Sequence, residues 1–577
     1  MKLFYAIVFF LLIIAGCGAE APPGDSEASD ASGSAPPMED HPDDDIRTLR
    51  LYIESHDVEY LYDRAPDNDK RVPAHAKLDD DDEVLALEGV RFRGNTTRLR
   101  QKKPFNIEFS KPQEFLDGSD RLNLNAMFTD PSMMREQLAF DMFEKVGVDA
   151  PDTEYYRLYI NDRYEGLYTR VERIDENFLE NRGMNPAGTL IRDRMRSHRY
   201  EVNSGVNSTF AYSLGNVGEK AEQLELIFDY RGSPNWLKYG DFHQWVADTP
   251  AGENFAQELS THVDLENYMN FLAIHFIIGD TDSFGDDYWM YLDHQDPEGK
   301  WKFIPWDKDL TMGSVYRSRD FGGIANDFFY YENPVSTTWD NVLIEKTLAT
   351  DALREQLEAH ILTLMETELS PDFMAERIEA YEQLIDGEME TDFSSQAFQL
   401  HDQNHFGAVE DYDDRKKTVS EYFKLRKEYL TKQFDAPEDA APSYHASASV
   451  ESNEPIYLTD ERGFVLAEIV PSQISGSPSI ELEASAEPDV AGVKRKYTLT
   501  VEGGRIEADI GLYYRRDADN SGKGSWIGDS QDLDQLYSLK VFSEDSTLES
   551  TSNPYINKVT FTDVLEGTTE YTMEFGE

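Results

Sequence analysis

Residues 279–313, GDTDSFGDDYWMYLDHQDPEGKWKFIPWDKDLTMG, are the most informative segment of this chain. Two groups of aspartates flank a strand at 288–292, a turn at 297–300 and a returning strand at 301–305. A hairpin would bring both groups to one end, close enough to share a hard cation. Mg2+ prefers carboxylate oxygens together with substrate phosphates, so this arrangement suits a phosphoryl-transfer site. The aspartates are Asp280, Asp282, Asp286, Asp287, Asp307 and Asp309.

Composition limits the weight of any single pair of carboxylates. Asp and Glu make up 112 of the 577 residues, so closely spaced acidic pairs arise often by chance. Solvated loop carboxylates that cap turns are the ordinary interpretation. The apolar frame of this segment favours a site, because Phe303, Ile304, Pro305 and Trp306 run directly into Asp307.

A second informative block, residues 93–109, reads RGNTTRLRQKKPFNIEF and concentrates positive charge. It holds five cations within eleven residues: Arg93, Arg98, Arg100, Lys102 and Lys103. One interpretation is a basic strand that pairs with an acidic surface. The other is a cradle for triphosphate oxygens, to which Arg offers two parallel hydrogen bonds and Lys a point charge.

A third block, residues 130–178, predicts a helix and then a hairpin. Asp130 and Pro131 offer an N-cap and a first helical residue. Arg135 lies on the first or second turn, where it either faces the site or pairs with a neighbouring carboxylate. Residues 157–160 and 166–171 predict two strands around a turn at 161–163, and Glu172 ends the second strand.

Together these three blocks resemble the CotH kinase family, whose members have an atypical kinase-like fold. The matching features are the RGN…KK block, the segment from DPSMMREQL to RLYINDRYEGLYTRVERIDENF, and the PWDKDLTMG motif, in the expected order. The resemblance covers residues 46–435. It implies an α+β fold with a kinase-like domain.

The resemblance also implies roles for individual residues. Asp282 would be the catalytic carboxylate, Asp307 the main metal ligand, and Asp287 and Asp309 secondary ligands. Lys103, or alternatively Lys102, would contact the nucleotide phosphates and pair with Glu172, and Arg93 and Arg135 complete the nucleotide-binding set. The implied cofactors are ATP with Mg2+ or Mn2+.

One departure from the family pattern affects the metal site. The chain has Asp286-Asp287 where the family usually has His-Asn. A carboxylate at 287 adds negative charge beside the other aspartates, which favours metal binding but repels the nucleotide phosphates. Neither GxGxxG nor GxxxxGK[ST] occurs, so an ordinary kinase or P-loop enzyme is not indicated.

The amino terminus predicts an exported lipoprotein. Residues 1–17 open with a lysine, continue through an apolar run and end in Ala-Gly-Cys, which matches a bacterial lipobox. Cys17 is the only cysteine and the expected lipidation site; the alternative is a buried core cysteine. Residues 18–45 form an acidic tether. We expect an extracytoplasmic protein held to the outer membrane or cell surface by its lipid alone.

The formal net charge of −58 bears on partners and habitat. Such an acidic chain disfavours nucleic acid and anionic lipid as main partners. It also suggests a high-salt environment, where screening reduces self-repulsion.

The pattern changes near the carboxyl end. Residues 266–278 predict a buried helix, and residues 351–434 predict further helices. A linker at 436–449 precedes 450–577, where short alternating runs predict a small β-sandwich-like, all-β accessory domain. Residues 517–524, DADNSGKG, resemble the start of a calcium loop without its glutamate. The aromatic residues Tyr513, Tyr514 and Trp526 could stack on sugars or pack in the core.

Two functions are compatible with these observations. The first is an exported Ser/Thr kinase that acts on a surface protein. The second is a catalytically silent lipoprotein that scaffolds extracellular assembly or binds polysaccharide. Nucleotide binding that needs a divalent metal would separate them.

Overall fold

The structure is a computed structural model, in which the described residues lie between 46 and 575. They are 46–65, 68–79, 81–94, 97–99, 102–127, 130, 132–193, 224–225, 228–280, 287–312, 341–394, 412–435, 444–460, 465–487, 492–514, 538–543, 546–553 and 558–575. Within them no helix is both long and apolar enough to span a membrane.

The first part of the described chain is a closed barrel of seven strands in the order β1-β2-β3-β4-β5-β7-β6. A parallel β1–β6 pair closes it, and the other pairs are antiparallel. The strands are β1 (Arg47–Tyr52), β2 (His75–Leu78), β3 (Leu85–Phe92), β4 (Phe105–Phe109), β5 (Arg121–Asn125), β6 (Thr153–Ile160) and β7 (Arg163–Val171), and helix α1 (Ser55–Asp63) follows β1. Inside the barrel, Phe105 packs edge-on against Phe92 and Tyr168.

The hairpin predicted around residues 161–163 is confirmed, with longer strands than expected. Asn161 and Asp162 form the turn between β6 and β7, with φ of 51° and 61°. A two-residue turn with positive φ at both positions matches the twist of the flanking strands. Asn and Asp tolerate this backbone better than most residues.

Helix α2 (Arg135–Lys145) begins later than the sequence predicts. The N-cap residue is Met134 and not Asp130, but the Asp130 carboxylate accepts the backbone N–H groups of Ser132 and Arg135 at 3.1 and 2.8 Å. The same carboxylate binds the guanidinium of Arg135 at 2.5 Å, and both side chains are fully buried. Arg135 therefore pairs with its neighbouring carboxylate, which was the alternative interpretation of this residue.

The predicted aspartate-flanked hairpin forms part of a second sheet of four antiparallel strands, ordered β11-β10-β8-β9 in the described chain. Tyr288 pairs with Pro305, so the two flanking segments lie at one end, as predicted. The strands are β8 (Thr189–Asp193), β9 (Phe228–Arg231), β10 (Tyr288–Leu292) and β11 (Lys302–Pro305), and α3 (Glu176–Asn181) precedes β8.

A helical region packs against this sheet and shares its main hydrophobic core. It contains α4 (Trp236–Asp248), α5 (Glu253–His262), α6 (Leu265–Ile278), α7 (Val342–Leu348), α8 (Asp351–Glu366), α9 (Pro371–Ser394) and α10 (Tyr412–Asp435). The predicted buried helix is α6, which ends at Gly279 in a left-handed conformation. From α10, Tyr422 and Arg426 donate hydrogen bonds to the carbonyls of Ile277 and Phe276.

The carboxyl-terminal strands form an eight-stranded antiparallel sheet in the described chain, with a separate core. They are β12 (His445–Ser449), β13 (Ile456–Thr459), β14 (Val465–Ala486), β15 (Gly492–Tyr513), β16 (Leu539–Ser543), β17 (Ser546–Thr547), β18 (Ser550–Asn553) and β19 (Lys558–Phe575). The expectation of short strands is wrong for β14, β15 and β19. Since β12 begins at His445, the segment predicted as a linker is also shorter than expected.

The long strands bend, so that their two halves face each other as the layers of a sandwich do. Register shifts lie between Gly476 and Ser479 and between Val501 and Ile506. Across the layers, the Tyr497 hydroxyl donates to the carbonyl of Tyr513 at 2.6 Å.

The C-terminal aromatic residues proposed to stack on sugars are placed mainly in the interior. Tyr514 is only 3% exposed, and Tyr513 packs half-buried against the helical core, which fits the packing alternative. Trp526 and the calcium-like loop lie outside the described residues.

Candidate functional site

The candidate site lies where the β10–β11 hairpin meets α2 and the ends of barrel strands β3 and β5. The backbone N–H of Trp306 donates to the carbonyl of Asp287 at 3.2 Å, which closes this end of the hairpin. Asp287 is buried, whereas Asp307 is exposed. Asp307 has φ of 57°, an uncommon backbone for a residue with a side chain.

A buried lysine that the sequence analysis did not single out holds the two ends of the hairpin together. The Lys308 ammonium lies 2.8 Å from the carboxylate of Asp280 and donates to the carbonyl of Asp287 at 3.0 Å. Lys308 and Asp280 are almost fully buried. His275 lies 3.7 Å from the same carboxylate. Burial and the Lys308 charge lower the pKa of His275 well below its usual value, so the imidazole is neutral.

Glu136, in the first turn of α2, is a second residue that the sequence analysis missed. It is 1% exposed and accepts a hydrogen bond from the side-chain amide of Asn125 at 3.1 Å and another from the backbone of Lys308. Burial, followed by the nearby charge of Asp307, raises the pKa of Glu136 to about 7. The available signal was its place next to Arg135 at the start of a predicted helix.

Arg93, predicted as a phosphate contact, does lie at this site. Its guanidinium donates to the side-chain oxygen of Asn125 and stacks over the Trp306 ring at 6.0 Å. Burial lowers the pKa of Arg93, and attraction to Asp307 and Glu136 opposes that shift. The site therefore combines two neighbouring carboxylates with a guanidinium.

The two lysines predicted to contact phosphate each donate a hydrogen bond to a backbone carbonyl. Lys102 is buried, donates to the carbonyl of Leu167 at 2.6 Å and lies over the Tyr168 ring. Lys103 donates to the carbonyl of Arg98 at 2.8 Å, and burial lowers its pKa.

The predicted pairing of Glu172 with a lysine is wrong. Glu172 binds Arg182 at 2.9 Å and accepts the backbone N–H of Asp152 at 3.1 Å. Arg182 in turn stacks on Phe178 at 3.9 Å, which fixes Glu172 beside α3. The reason is proximity, because α3 follows β7 after a few residues and supplies a cation at once.

Of the remaining predicted residues, the structure describes only Asp309. Asp309 is half-buried in the loop after β11, whereas Asp282, Asp286 and Cys17 lie outside the described residues. In the part of the chain that the structure describes, no three side chains of His, Cys, Asp or Glu are grouped to hold a metal ion. Their roles remain predictions.

Comparison with known proteins shows the family of this chain. A family model described as CotH kinase protein matches residues 90–430, which include every described residue of the site. The chain belongs to the CotH kinase protein family. The resemblance inferred from the three sequence blocks is thereby confirmed.

Similar CotH proteins occur in bacteria and fungi. The chain is 26% identical to "Inner spore coat protein H" of Bacillus subtilis over 66% of this chain and 95% of that protein. It is 26% identical to "Invasin CotH3" of Rhizopus delemar over 34% of this chain and 33% of the relative. It is 25% identical to "Invasin CotH2" of the same fungus, over 40% and 39% respectively.

Proposed function

We propose that this CotH protein is an exported, lipid-anchored kinase that transfers the γ-phosphoryl group of ATP to Ser or Thr of a surface protein. The observation that carries the proposal is the pair of neighbouring carboxylates, Glu136 and Asp307, beside the guanidinium of Arg93. Phosphoryl transfer depends mainly on positioning and on neutralisation of charge, which these groups can supply.

The residues at the site fit a Mg2+ or Mn2+ ion that is bound together with a nucleotide. Mg2+ is commonly held by one or two carboxylates plus substrate phosphates rather than by a cage of protein ligands. The raised pKa of Glu136 reflects its burial and the repulsion from Asp307, and a bound divalent cation would offset the electrostatic cost of both. Asp307 and Glu136 would hold the ion, with Asp287 and Asp309 as further candidates. The bound cation would offset the charge of the phosphates.

In this kinase the barrel and α2 would form a nucleotide-binding lobe, and the helical region would form a second lobe. In ordinary protein kinases a helix glutamate pairs with a strand lysine that contacts the nucleotide. Here Glu136 of α2 takes the glutamate's place, and Arg93 at the end of β3 is the neighbouring cation. Asp282 keeps its predicted role of accepting the proton of the incoming hydroxyl.

Cys17 would carry the lipid that holds the protein at the outer membrane or cell surface, where its protein acceptor would be found. The similarity to a spore coat protein is compatible with such a surface role.

A catalytically silent scaffold or adhesion protein is the second candidate. Two Rhizopus relatives are named invasins, which favours this candidate, as does Asp286-Asp287 in place of the family's His-Asn. The additional negative charge would oppose nucleotide binding. Polysaccharide is the alternative ligand in this case.

Thermal unfolding with ATP separates the two candidates. We expect Mg2+-ATP or Mn2+-ATP to raise the Tm of the full chain, and the increase to disappear with a chelator or in Asp307→Ala. Asp117→Ala is a matched control, because Asp117 is exposed with the same left-handed backbone, φ of 53°. An unchanged Tm in millimolar ATP with either metal would contradict the kinase proposal and support the silent one.

A further inference from the structure

One side-chain amide connects the two kinds of charge at the candidate site. Asn125, the last residue of β5, accepts a hydrogen bond from the guanidinium of Arg93 through its side-chain oxygen. Its side-chain nitrogen donates to the carboxylate of Glu136 at 3.1 Å. Asparagine suits this position because its amide carries both an acceptor and a donor. The acceptor thus faces the cation, and the donor faces the carboxylate.

The register of the barrel strands directs Asn125 towards α2. Leu124 is buried in the barrel core, and side chains alternate along a strand, so Asn125 lies on the opposite face. Its cross-strand neighbour Thr169 lies on the same face as Leu167, which belongs to the core shared with α2. Glu136 is in the first turn of α2 and therefore lies within reach of the amide.

Each of the two charged groups is also held from a second side. The guanidinium of Arg93 lies over the Trp306 ring at 6.0 Å. The carboxylate of Glu136 accepts a hydrogen bond from the backbone of Lys308. The amide of Asn125 therefore completes a set of contacts that joins the ends of β3 and β5 to α2 and to the loop after β11.

The same amide lies between two groups that attract each other. Arg93 and Glu136 carry opposite charges and interact electrostatically, and Glu136 is 1% exposed. In the described chain they are linked through Asn125 and not by a direct ion pair. Attraction between charges is strong where little water is present, so removal of the amide would favour direct contact. A carboxylate paired with arginine is a poorer metal ligand, because both cations need the same oxygen atoms.

We propose that Asn125 is a positioning residue, which keeps Glu136 available to a divalent cation and Arg93 oriented towards the phosphates of the nucleotide. A guanidinium carries its N–H donors in a rigid planar fork, so a bond to one of them sets the direction of the others. The inference rests on the proposed function in assigning the carboxylate to the metal and the guanidinium to the nucleotide. Asn125 acts through these two groups and does not itself bind the metal.

Titration of the full chain with Mn2+ tests this role without nucleotide, and the electron paramagnetic resonance signal of the free ion measures binding. Sodium chloride at about 0.5 M would suppress adsorption to a chain of net charge −58. Binding at the candidate site is the part that is lost in Asp307→Ala. Asn125→Ala should weaken this binding about tenfold to a hundredfold, the size expected when a hydrogen bond to a charged group is lost.

A second substitution distinguishes positioning from a general loss of structure. In Arg93→Met the cation that would pair with Glu136 is absent, so adding Asn125→Ala should weaken Mn2+ binding by less than about threefold. Asn125→Gln keeps both amide groups and should lose less affinity than Asn125→Ala. Asn123→Ala is the matched control and should bind Mn2+ normally. Asn123 lies on the same face of β5, but its amide oxygen accepts from Asn106 at 2.7 Å and not from a residue of the site.

The outcomes separate this inference from the proposed function. Mn2+ binding that is lost in Asp307→Ala but unchanged in Asn125→Ala would overturn the role of Asn125 and not the kinase. Equal losses from Asn125→Ala with and without Arg93 would also overturn it, because they would indicate a structural role only. Mn2+ binding that depends on Asn125, without any increase of Tm in ATP, would support the inference and contradict the kinase. Mn2+ binding that is unchanged in Asp307→Ala would overturn both.

Discussion

At the scale of single residues, the site is governed by charges removed from water. The Lys308–Asp280 pair is almost fully buried and joins the end of α6 to both flanks of the β10–β11 hairpin. Burying such a pair costs desolvation energy, and only good geometry offsets that cost. The same pair positions Asp307, which is adjacent to Lys308 in the chain.

Lys308→Met should reduce the free energy of unfolding by about 3–5 kcal/mol, because it leaves the Asp280 carboxylate buried without its cation. Urea denaturation measures this loss. Lys308→Met combined with Asp280→Asn should lose less than the sum of the single variants. Lys302→Met is the control. Lys302 lies on the same hairpin, but its ion pair with Asp264 is longer, at 4.0 Å, and is partly exposed. This variant should cost less than about 1 kcal/mol. Equal costs at 308 and 302 would contradict the assigned role.

Glu136→Gln should stabilise the protein at neutral pH but not at acidic pH. The folded state raises the pKa of Glu136 to about 7, above its unfolded value of about 4.3. The unfavourable contribution of this group is therefore absent below about pH 4 and complete above about pH 7. The free energy of unfolding of Glu136→Gln should exceed that of the original protein by an amount that grows between about pH 4 and pH 7 to as much as about 3 kcal/mol. Denaturation at pH 5 and pH 8 in a chelator measures it.

A charge-removing variant and added metal extend this pH test. Asp307→Asn should change the pH dependence of the free energy of unfolding in the same direction as Glu136→Gln, but by less. Burial is a larger cause of the raised pKa of Glu136 than the charge of Asp307 is. Millimolar Mg2+ should reduce the difference in the free energy of unfolding between the original protein and Glu136→Gln at pH 8. A difference that did not vary with pH would show that Glu136 titrates normally.

At the scale of elements, the carboxyl-terminal sheet depends on bends within very long strands. Gly476 of β14 has φ of 83°, and an added Cβ there would lie 2.4 Å from the carbonyl oxygen of Gly503. Gly567 of β19 has φ of 73°, but no atom lies within 4 Å of the corresponding position. At Gly476 both the left-handed backbone and the close approach of a second backbone disfavour a side chain. At Gly567 only the left-handed backbone does.

Gly476→Ala should destabilise the protein more than Gly567→Ala. Both variants place an L-residue in a left-handed conformation, which costs about 1–2 kcal/mol. Only Gly476→Ala adds a steric clash, which costs about a further 1–3 kcal/mol. Thermal unfolding should therefore give a lower Tm for Gly476→Ala. Equal Tm values would mean that the two strands separate easily at the bend.

At the scale of the whole molecule, buried ion pairs stabilise the fold, whereas the large negative net charge destabilises it. Arg157 of the barrel binds Glu388 of α9 at 2.5 Å, and Tyr164 donates to the same carboxylate at 2.7 Å. This buried contact ties the barrel to the helical region. The net charge of −58, by contrast, favours expansion through self-repulsion.

The Tm of the full chain should rise as NaCl increases from low concentration to 1 M. The screening length falls from about 10 Å at 0.1 M salt to about 3 Å at 1 M, which weakens repulsion between exposed carboxylates. KCl should act similarly if screening is the cause. The greatest thermal stability below about 0.1 M salt would contradict a high-salt adaptation.

Local elements and family membership can be predicted from the order of the amino acids alone. The apolar frame of the β10–β11 hairpin, the Asn161-Asp162 turn and the helical spacing of α6 depend on neighbours within a few residues. Such signals are readable along the chain, so these elements were predicted with errors of only a few residues. The RGN…KK and PWDKDLTMG blocks likewise indicate the CotH family, to which the chain belongs.

Which charged residues come into contact, in contrast, depends on the three-dimensional fold. Glu136 and Asp307 are far apart in the chain but are neighbours in the fold, and Glu172 is bound by Arg182 rather than by Lys103. Charge pairing depends on distance and burial in three dimensions, because electrostatic energy rises steeply as groups approach and lose water. In a chain with 112 acidic residues, sequence spacing alone could not select these partners.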